Sequence, residues 1–339
     1  MINCTAVTDY PGWVTAGTYH KCVIGFLGTI GNSISLWCLV QSASTNKATK
    51  FHMIFVFSVL LAICLVTLPS VSVINYISAF CKSRWFREEL FISISISSSF
   101  LLQLERINFT AIAIFRCVAV WRPYMFHKLS TVTCVLVMEG VLCLYAFLPW
   151  ILGLCLGYDR ITYSGKYSSV RFGENSVLHK MVFTWYSVNY CLTFMATLFA
   201  YLFMIATIIL QEKKLSVDQR SATTMDHVYF SIHVVILTNL VLDGPHVIVH
   251  LLSNQRLASI ITHMIFFLHL VIDPMVFVGF NLHYRRAVLH RMYKCLPVAI
   301  SSKLRPLEPN DDTLRMQDTP LEKCSGQPEG VYNTCVIKY

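Results

Sequence analysis

Seven long apolar stretches, divided by short polar or charged segments, dominate the pattern of the chain. Each stretch exceeds the roughly 20 residues that an α-helix needs to cross a hydrocarbon core. The pattern therefore predicts an all-α membrane protein, a seven-transmembrane helix bundle that occupies residues 22–284. The predicted spans are Cys22–Thr45, Phe51–Ala79, Phe91–Phe115, Leu129–Tyr158, Met181–Gln211, Val228–Gln255 and Leu257–Tyr284.

The composition also indicates a lipid environment. Of the 339 residues, 55% are hydrophobic and only 13% are charged, whereas soluble domains average about 25% charged residues. So few charged side chains cannot cover a water-exposed surface. The net charge of +9 comes largely from Lys and Arg between the apolar stretches and after the last one. This distribution favours anionic membrane lipid as a partner and argues against nucleic acid.

The two ends of the chain have separate predicted roles. An odd number of spans places them on opposite sides, and the Lys and Arg distribution favours an extracellular N-terminus, residues 1–21, at the plasma membrane. Asn3 begins an Asn-x-Thr sequon and is the predicted glycosylation site. Residues 285–296 are predicted to form a short amphipathic eighth helix on the membrane surface. Cys295 in this helix is either a palmitoylation site or a plain buried thiol. The polar composition of residues 297–339 predicts a disordered cytoplasmic tail.

Three short motifs stand in the first, third and seventh predicted spans. They are Gly-Asn at Gly31–Asn32, Phe-Arg-Cys at Phe115–Cys117 and Asp-Pro-x-x-Phe at Asp273–Phe277. Their positions and order resemble the Gly-Asn, Asp-Arg-Tyr and Asn/Asp-Pro-x-x-Tyr motifs of rhodopsin-like G-protein-coupled receptors, over about residues 22–296. The resemblance implies a receptor that takes up a ligand from outside and signals to a heterotrimeric G protein, with arrestin as a further partner.

Several positions depart from the family pattern. Phe115 replaces the acid of the Asp-Arg-Tyr triplet and Cys117 replaces its aromatic residue. The second span lacks the usual central Asp. The sixth span keeps the proline of the family motif as Pro245, but Asp243 stands where the family has its aromatic toggle. These departures leave open a receptor-like protein that signals constitutively or acts as a decoy.

The resemblance narrows the ligand class. Ser98 stands where amine receptors carry Asp, and Phe267 stands where opsins carry the retinal Lys. It therefore implies a ligand that is neither an amine nor retinal, and leaves its class otherwise open. The candidate pocket residues are Ser98, Asp243, His246 and His269.

Arg116 is the central residue of the predicted G-protein switch. The resemblance implies that it is held within the bundle at rest and faces the G protein when the sixth helix moves outward, although it can equally serve as an ordinary juxtamembrane arginine that fixes orientation. Asp226 is a predicted resting partner and Tyr201 a predicted active-state partner. The full predicted switch set is Arg116, Tyr201, Asp226, Asp273, Pro274 and Phe277.

Polar groups at membrane depth predict a polar core. Ionisable groups there are costly and usually face the bundle interior, and the resemblance places Asn32, Glu105 and Asp273 around a pocket that often holds sodium. Two neighbouring carboxylates cannot both stay ionised without a cation. Either sodium binds, or one acid is protonated, or Arg106 neutralises one of them in a purely structural cluster.

Asp243 has two open interpretations, a ligand contact or an ion pair with His246, His269 or Arg106. His246 and His250 also have the spacing of metal ligands on a helix. Because no third ligand is identifiable, we expect no metal site, and sodium is the only candidate cofactor. No motif predicts an enzyme. A secondary transporter or channel remains an alternative to the receptor, since Glu105, Arg106, Asp243 and Asp273 can line a polar path.

Overall fold

A computed structural model of the chain describes residues 11–42, 46–80, 88–157, 161–164, 169–172, 177–214, 227–252 and 256–295. Asn3, Asp226 and the predicted tail, residues 297–339, lie outside these ranges. Cys295 is the last residue of a helix, but its side chain is not among those described.

The described residues fold almost entirely into helices. The helices are α1 (Pro11–Gln41), α2 (Lys47–Ala62), a π-helical segment (Ile63–Thr67), α3 (Leu68–Phe80), α4 (Glu88–Trp121), α5 (Pro123–Leu129), α6 (Val132–Gly157), α7 (Val177–Lys214), α8 (His227–Leu252), α9 (Arg256–Phe267), α10 (His269–Phe280) and α11 (Leu282–Cys295). Between α6 and α7, strands β1 (Ile161–Ser164) and β2 (Ser169–Phe172) form an antiparallel pair in which Ile161 faces Phe172.

Within the described part of the chain, seven helical segments are long and apolar enough to cross a membrane. They confirm the predicted number of spans and are compatible with a multi-pass membrane protein. The segments are Gly12–Gln41, Lys47–Ile77, Leu90–Trp121, Val132–Ile151, Ser187–Thr207, Ile232–Val249 and Leu257–Phe280. We number these the first to seventh spans.

The helix ends differ from the sequence-based boundaries because a polar residue does not end a helix by itself. The first helix already begins at Pro11, a residue whose fixed φ suits the first helical position. The third span continues beyond Phe115 to Trp121, which keeps Arg116 on a regular helix. The surface helix predicted for residues 285–296 begins at Leu282, where the Asn281 Oδ1 accepts a hydrogen bond from the Tyr284 N–H at 3.2 Å.

Two spans are irregular at their centres. In the second, the backbone widens into the π-helical segment Ile63–Thr67, and the Leu68 N–H donates to the Ile63 carbonyl. Pro69 follows directly, and a proline without an N–H is accommodated by such local adjustments in membrane helices. The seventh span divides at Leu268 into α9 and α10. Both irregularities lie beside the buried polar groups described below.

Close packing of the first and seventh spans explains the Gly31–Asn32 motif. A Cβ added to Gly31 would lie 2.9 Å from Pro274 Cγ, and one added to Gly28 would lie 3.1 Å from the Leu270 carbonyl oxygen. No larger side chain fits at this distance. Glycine therefore lets α1 approach the proline of the Asp-Pro motif.

Apolar side chains cover the outer surface of the bundle. Large hydrophobic residues of α6 and α7 are exposed in the structure, as expected of helix faces that contact lipid tails rather than water. The polar residues lie inside, among the side chains of the third, sixth and seventh spans. Examples of the exposed residues are Val137, Val141, Leu144, Leu192, Phe199 and Leu202.

Candidate functional site

Five charged residues within the described spans, in addition to Arg116, have buried side chains. Exposed fractions are 1% for Glu105, 7% for Arg106, 3% for Glu139, 9% for Asp243 and 0% for Asp273. Burial of a charge is tolerated only when a partner compensates it. The partners identify three polar clusters, which we name after Arg106, Glu105 and Arg116.

Glu105 and Arg106 belong to different clusters because they are successive residues of one helix. Neighbouring side chains on an α-helix point about 100° apart. Arg106 therefore meets the fifth and sixth spans, whereas Glu105 meets the seventh. Arg106 and Glu105 therefore do not form an ion pair with each other.

The Arg106 cluster joins the third span to the sixth. Arg106 Nη2 lies 2.7 Å from Asp243 Oδ1 and 3.0 Å from His246 Nδ1. Two of the three predicted partners of Asp243, Arg106 and His246, thus lie close to it. The third, His269, contacts Glu105 instead. Asp243 lies just before Pro245, the residue that interrupts the hydrogen bonding of α8.

Aromatic rings enclose the Arg106 guanidinium. Its Cζ lies 3.3 Å from the ring centroid of Tyr190 on the fifth span and 4.8 Å from that of Phe266 on the seventh. His246 stacks on Phe266 at 4.8 Å and contacts the His263 ring edge-on at 4.3 Å. Cation–π attraction strengthens when the cation is shielded from water, so these rings help to hold a charged arginine inside the bundle.

The hydrogen bonds define the tautomer of His246. An arginine can only donate hydrogen bonds, so His246 Nδ1 must accept from Arg106 Nη2 and carries no proton. The Tyr190 hydroxyl lies 2.5 Å from the same nitrogen, and because this nitrogen has a single lone pair, the hydroxyl and the guanidinium compete for it. Although Asp243 Oδ1 is 3.5 Å from His246 Nδ1, this approach is therefore not an ion pair.

The Glu105 cluster joins the third span to the seventh. His269 Nε2 lies 2.6 Å from Glu105 Oε1, and His269 Nδ1 donates to the Phe266 carbonyl. Both ring nitrogens therefore lie close to oxygen atoms. Asp273, one turn further along, lies within electrostatic range of His269.

Hydrogen bonds from the sixth span hold Asp273. Thr238 Oγ1 donates to Asp273 Oδ1 at 3.0 Å, and Asn239 Nδ2 donates to Asp273 Oδ2. Asn32 completes the cluster from the first span, donating to the Gly28 carbonyl at 2.7 Å and the Leu270 carbonyl at 3.1 Å. The three residues of the predicted polar core, Asn32, Glu105 and Asp273, thus lie on the seventh span or in contact with it.

The Glu105 cluster offers some of the groups that a sodium ion needs. Glu105 Oε2 and Asn32 Oδ1 are buried and accept no hydrogen bond from the described residues, and oxygen atoms are the ligands of hard cations. Against this, His269 already places a positive charge beside Glu105. Sodium therefore stays a prediction, with the imidazole as its direct competitor.

The Arg116 cluster lies near the C-terminal end of α4. Arg116 lines a small cleft together with His52, Phe115 and Ser130, and both His52 and His233 lie close enough to be influenced by its charge. The Arg116 guanidinium thus has two histidines nearby, on the second and sixth spans. Asp226, the predicted resting partner, is outside the described residues.

A close contact between polar side chains of the second and fourth spans supports this cleft. His52 Nε2 lies 3.1 Å from Glu139 Oε1, and both side chains are almost fully buried. His52 also meets the Phe115 ring edge-on at 6.0 Å. Glu139, for which the sequence suggested no role, therefore orients His52 towards the residues around Arg116.

The remaining predicted switch residues pack in the core. Phe277 contacts Phe57 at 4.9 Å and Tyr284 at 5.4 Å between ring centroids, which connects the seventh span to α11. Pro274 contacts the first span. Tyr201 is partly buried against the same core, and its predicted contact with Arg116 stays a prediction.

The predicted pocket residues do not form one group. Asp243 and His246 lie together in the Arg106 cluster, and His269 belongs to the Glu105 cluster. Ser98 is buried, and its hydroxyl donates to the Ile94 carbonyl of its own helix at 2.6 Å. No geometry in the structure links Ser98 to the other three.

Sequence reasoning missed several members of the clusters. His52 and Glu139 had a usable signal, because each is an isolated ionisable residue in its apolar stretch and such residues need each other. Tyr190, His263 and Phe266 carried no distinguishing signal, since aromatic residues occur throughout the chain. Other missed residues are His233, Thr238 and Asn239.

Among the described residues, no group of three or more His, Cys, Asp or Glu side chains is arranged to hold a metal ion. A comparison of the chain with models of known protein families found no match, and a comparison with curated proteins also found none.

Proposed function

We propose that this protein is a divergent rhodopsin-like receptor, which converts the binding of an extracellular ligand into activation of a heterotrimeric G protein. The observation that carries the proposal is the buried Arg106–Asp243 ion pair, which ties the third span to the sixth beside Pro245. A receptor of this kind needs two arrangements of the sixth helix with different contacts in each. The ion pair is a contact that one arrangement has and the other can lose.

Two residues of α4, one near its middle and one near its C-terminal end, connect such a change to the cytoplasmic side. Arg106 holds α8 through Asp243, and Arg116 faces His233 on the same helix. When the ion pair opens, α8 is released near its proline and its inner half can move away from α4. Arg116 and the segments 121–128 and 211–226 are then available to the G protein.

A nucleotide-exchange assay tests this function. The full chain is reconstituted in lipid nanodiscs with a panel of purified heterotrimeric G proteins, and exchange is measured without added ligand. We expect Asp243→Asn to raise the exchange rate several-fold, because Arg106 no longer holds α8, and Arg116→Gln to abolish that gain. Ser58→Ala, whose exposed hydroxyl bonds only within its own helix, is the matched control and should behave like the wild type.

A proton-coupled transporter is the second candidate. Its support is the succession of ionisable groups that runs inside the bundle from His263 and His246 through the Arg106 cluster to His269 and Asp273. Liposomes containing the protein and a pH-sensitive dye distinguish the two candidates. Proton flux that Asp273→Asn removes, with no nucleotide exchange in any variant, would favour transport and refute the receptor proposal.

A further inference from the structure

Arg106 has hydrogen-bond donors that none of the described residues accepts. Nη2 is occupied by Asp243 and His246, but Nε and Nη1 are buried and donate to none of the described residues. The residue is 7% exposed, so bulk water does not solvate it. Folded proteins rarely leave buried donors without an acceptor, which indicates that another molecule supplies one.

We propose that Arg106 is the binding site for the carboxylate of an anionic ligand, which displaces Asp243 from the guanidinium. A carboxylate offers two oxygen acceptors in a plane, and the guanidinium is the side chain whose geometry matches this arrangement. Once Asp243 leaves Nη2, the ligand can bond to Nη2 together with either Nε or Nη1, because these are the pairs of N–H groups that lie parallel on a guanidinium.

Charge balance explains why the ligand takes the place of Asp243. Arg106 and Asp243 together are neutral. A second carboxylate at the same arginine would leave an uncompensated negative charge inside the bundle, which is costly. The bound ligand therefore neutralises Arg106, and Asp243 turns away from the guanidinium or takes up a proton.

The surroundings indicate the rest of the ligand. The rings of Tyr190 and Phe266 lie against the guanidinium, and His263 lies next to His246. These side chains present aromatic surface beside the charged group. The ligand is therefore a carboxylate on an apolar or aromatic body rather than a small hydrophilic acid.

The exchange of counter-ions also couples binding to the sixth span. Asp243 lies on α8 just before Pro245, so removing its partner releases α8 where that helix is weakest. This coupling rests on the receptor function proposed above. The carboxylate site itself does not, because it follows from the donors of Arg106 alone.

Thermal unfolding of the purified full chain in detergent tests the site. The probes are sodium benzoate, which enters from water, and sodium octanoate, which partitions into the apolar phase, each compared with its uncharged amide at constant ionic strength. We expect at least one carboxylate to raise the unfolding temperature while its amide does not. The probe with the larger effect identifies the source of the ligand. Equal effects of acid and amide would overturn the proposal.

Variants test the exchange with Asp243. We expect Asp243→Asn to respond at concentrations about tenfold lower, a difference of about 1.4 kcal/mol, because the competing carboxylate is gone. The double variant Arg106→Gln/Asp243→Asn, which avoids the unpaired Asp243 that Arg106→Gln alone would leave, should lose the response. Arg291→Gln removes an exposed arginine of α11 and should retain it.

The outcomes separate the site from the receptor function. No carboxylate-specific shift in either the wild type or Asp243→Asn would mean that only water occupies the donors, and would overturn the site. A persistent response in the double variant would do the same. A carboxylate shift without G-protein nucleotide exchange would support the site and count against the receptor proposal, whereas exchange without any shift would do the reverse.

Discussion

His269 Nε2 lies 2.6 Å from Glu105 Oε1, and neither side chain is more than 1% exposed. This contact puts an imidazole beside the carboxylates for which the family resemblance suggests sodium. Glu105 pairs with His269, and Arg106 pairs separately with Asp243. Each pair connects the third span to a different neighbour.

The Glu105–His269 pair should contribute strongly to stability. Removing one partner of a buried pair leaves the other uncompensated and costs about 3–5 kcal/mol. We expect Glu105→Gln and His269→Asn each to lower the free energy of unfolding by this order, and the double variant to lose clearly less than the sum. Thermal unfolding in detergent measures this, and strictly additive losses would show that the two side chains do not interact.

Sodium should bind only when the imidazole is removed. We expect that replacing N-methylglucamine chloride by sodium chloride leaves the unfolding temperature of the wild type unchanged and raises that of His269→Ala. In that variant, Glu105 and Asp273 lack a cation and the space of the imidazole can hold one. Adding Glu105→Gln to His269→Ala should remove the sodium response. A sodium effect of equal size in the wild type would contradict this expectation and restore sodium as the resident ion.

Substitution of Gly31 should disturb the contact of the first and seventh spans. A Cβ at this position would lie 2.9 Å from Pro274 Cγ, and the proline ring cannot rotate away. We expect Gly31→Ala to lower the free energy of unfolding by about 1–3 kcal/mol, the usual cost of overpacking.

Gly140→Ala is the matched control for that change. A Cβ at Gly140 meets nothing within 4 Å, and alanine favours a helix by roughly 0.5–1 kcal/mol over glycine. We expect this variant to be as stable as the wild type or slightly more stable. If both alanine variants behaved alike, close packing would not be the reason for glycine at position 31.

An acid at position 115 should lower basal signalling if the receptor proposal is correct. Phe115 contacts His52 beside Arg116, and Phe115→Asp would give the guanidinium an adjacent carboxylate. We expect several-fold slower ligand-independent nucleotide exchange. Phe115→Asn has nearly the same shape without the charge and should have a smaller effect, so equal rates in the two variants would rule out a role for the ion pair.

Much of the architecture could be predicted because the interior of a bilayer imposes a simple rule. A backbone without water must bond to itself, so a long apolar stretch becomes a helix. The helix ends were less predictable. Pro11 begins a helix ahead of the apolar stretch, and Leu268 divides the seventh span, because backbone hydrogen bonding and packing determine these boundaries rather than hydrophobicity.

The sequence alone also indicated that Glu105, Arg106, Asp243 and Asp273 face the interior, since charges at membrane depth require partners. It could not assign those partners. Glu105 and Arg106 are adjacent along the chain, yet the rotation of the helix sends one to His269 and the other to Asp243.

The sequence thus determined how many helices are long and apolar enough to cross a bilayer and which buried residues need partners, because both follow from the chemistry of each segment by itself. Only the tertiary structure decided that His52 lies against Glu139, that Tyr190 covers Arg106 and that none of the described residues accepts from Arg106 Nε and Nη1. Such contacts depend on the relative rotation and packing of helices far apart in the chain, which no local pattern of residues encodes.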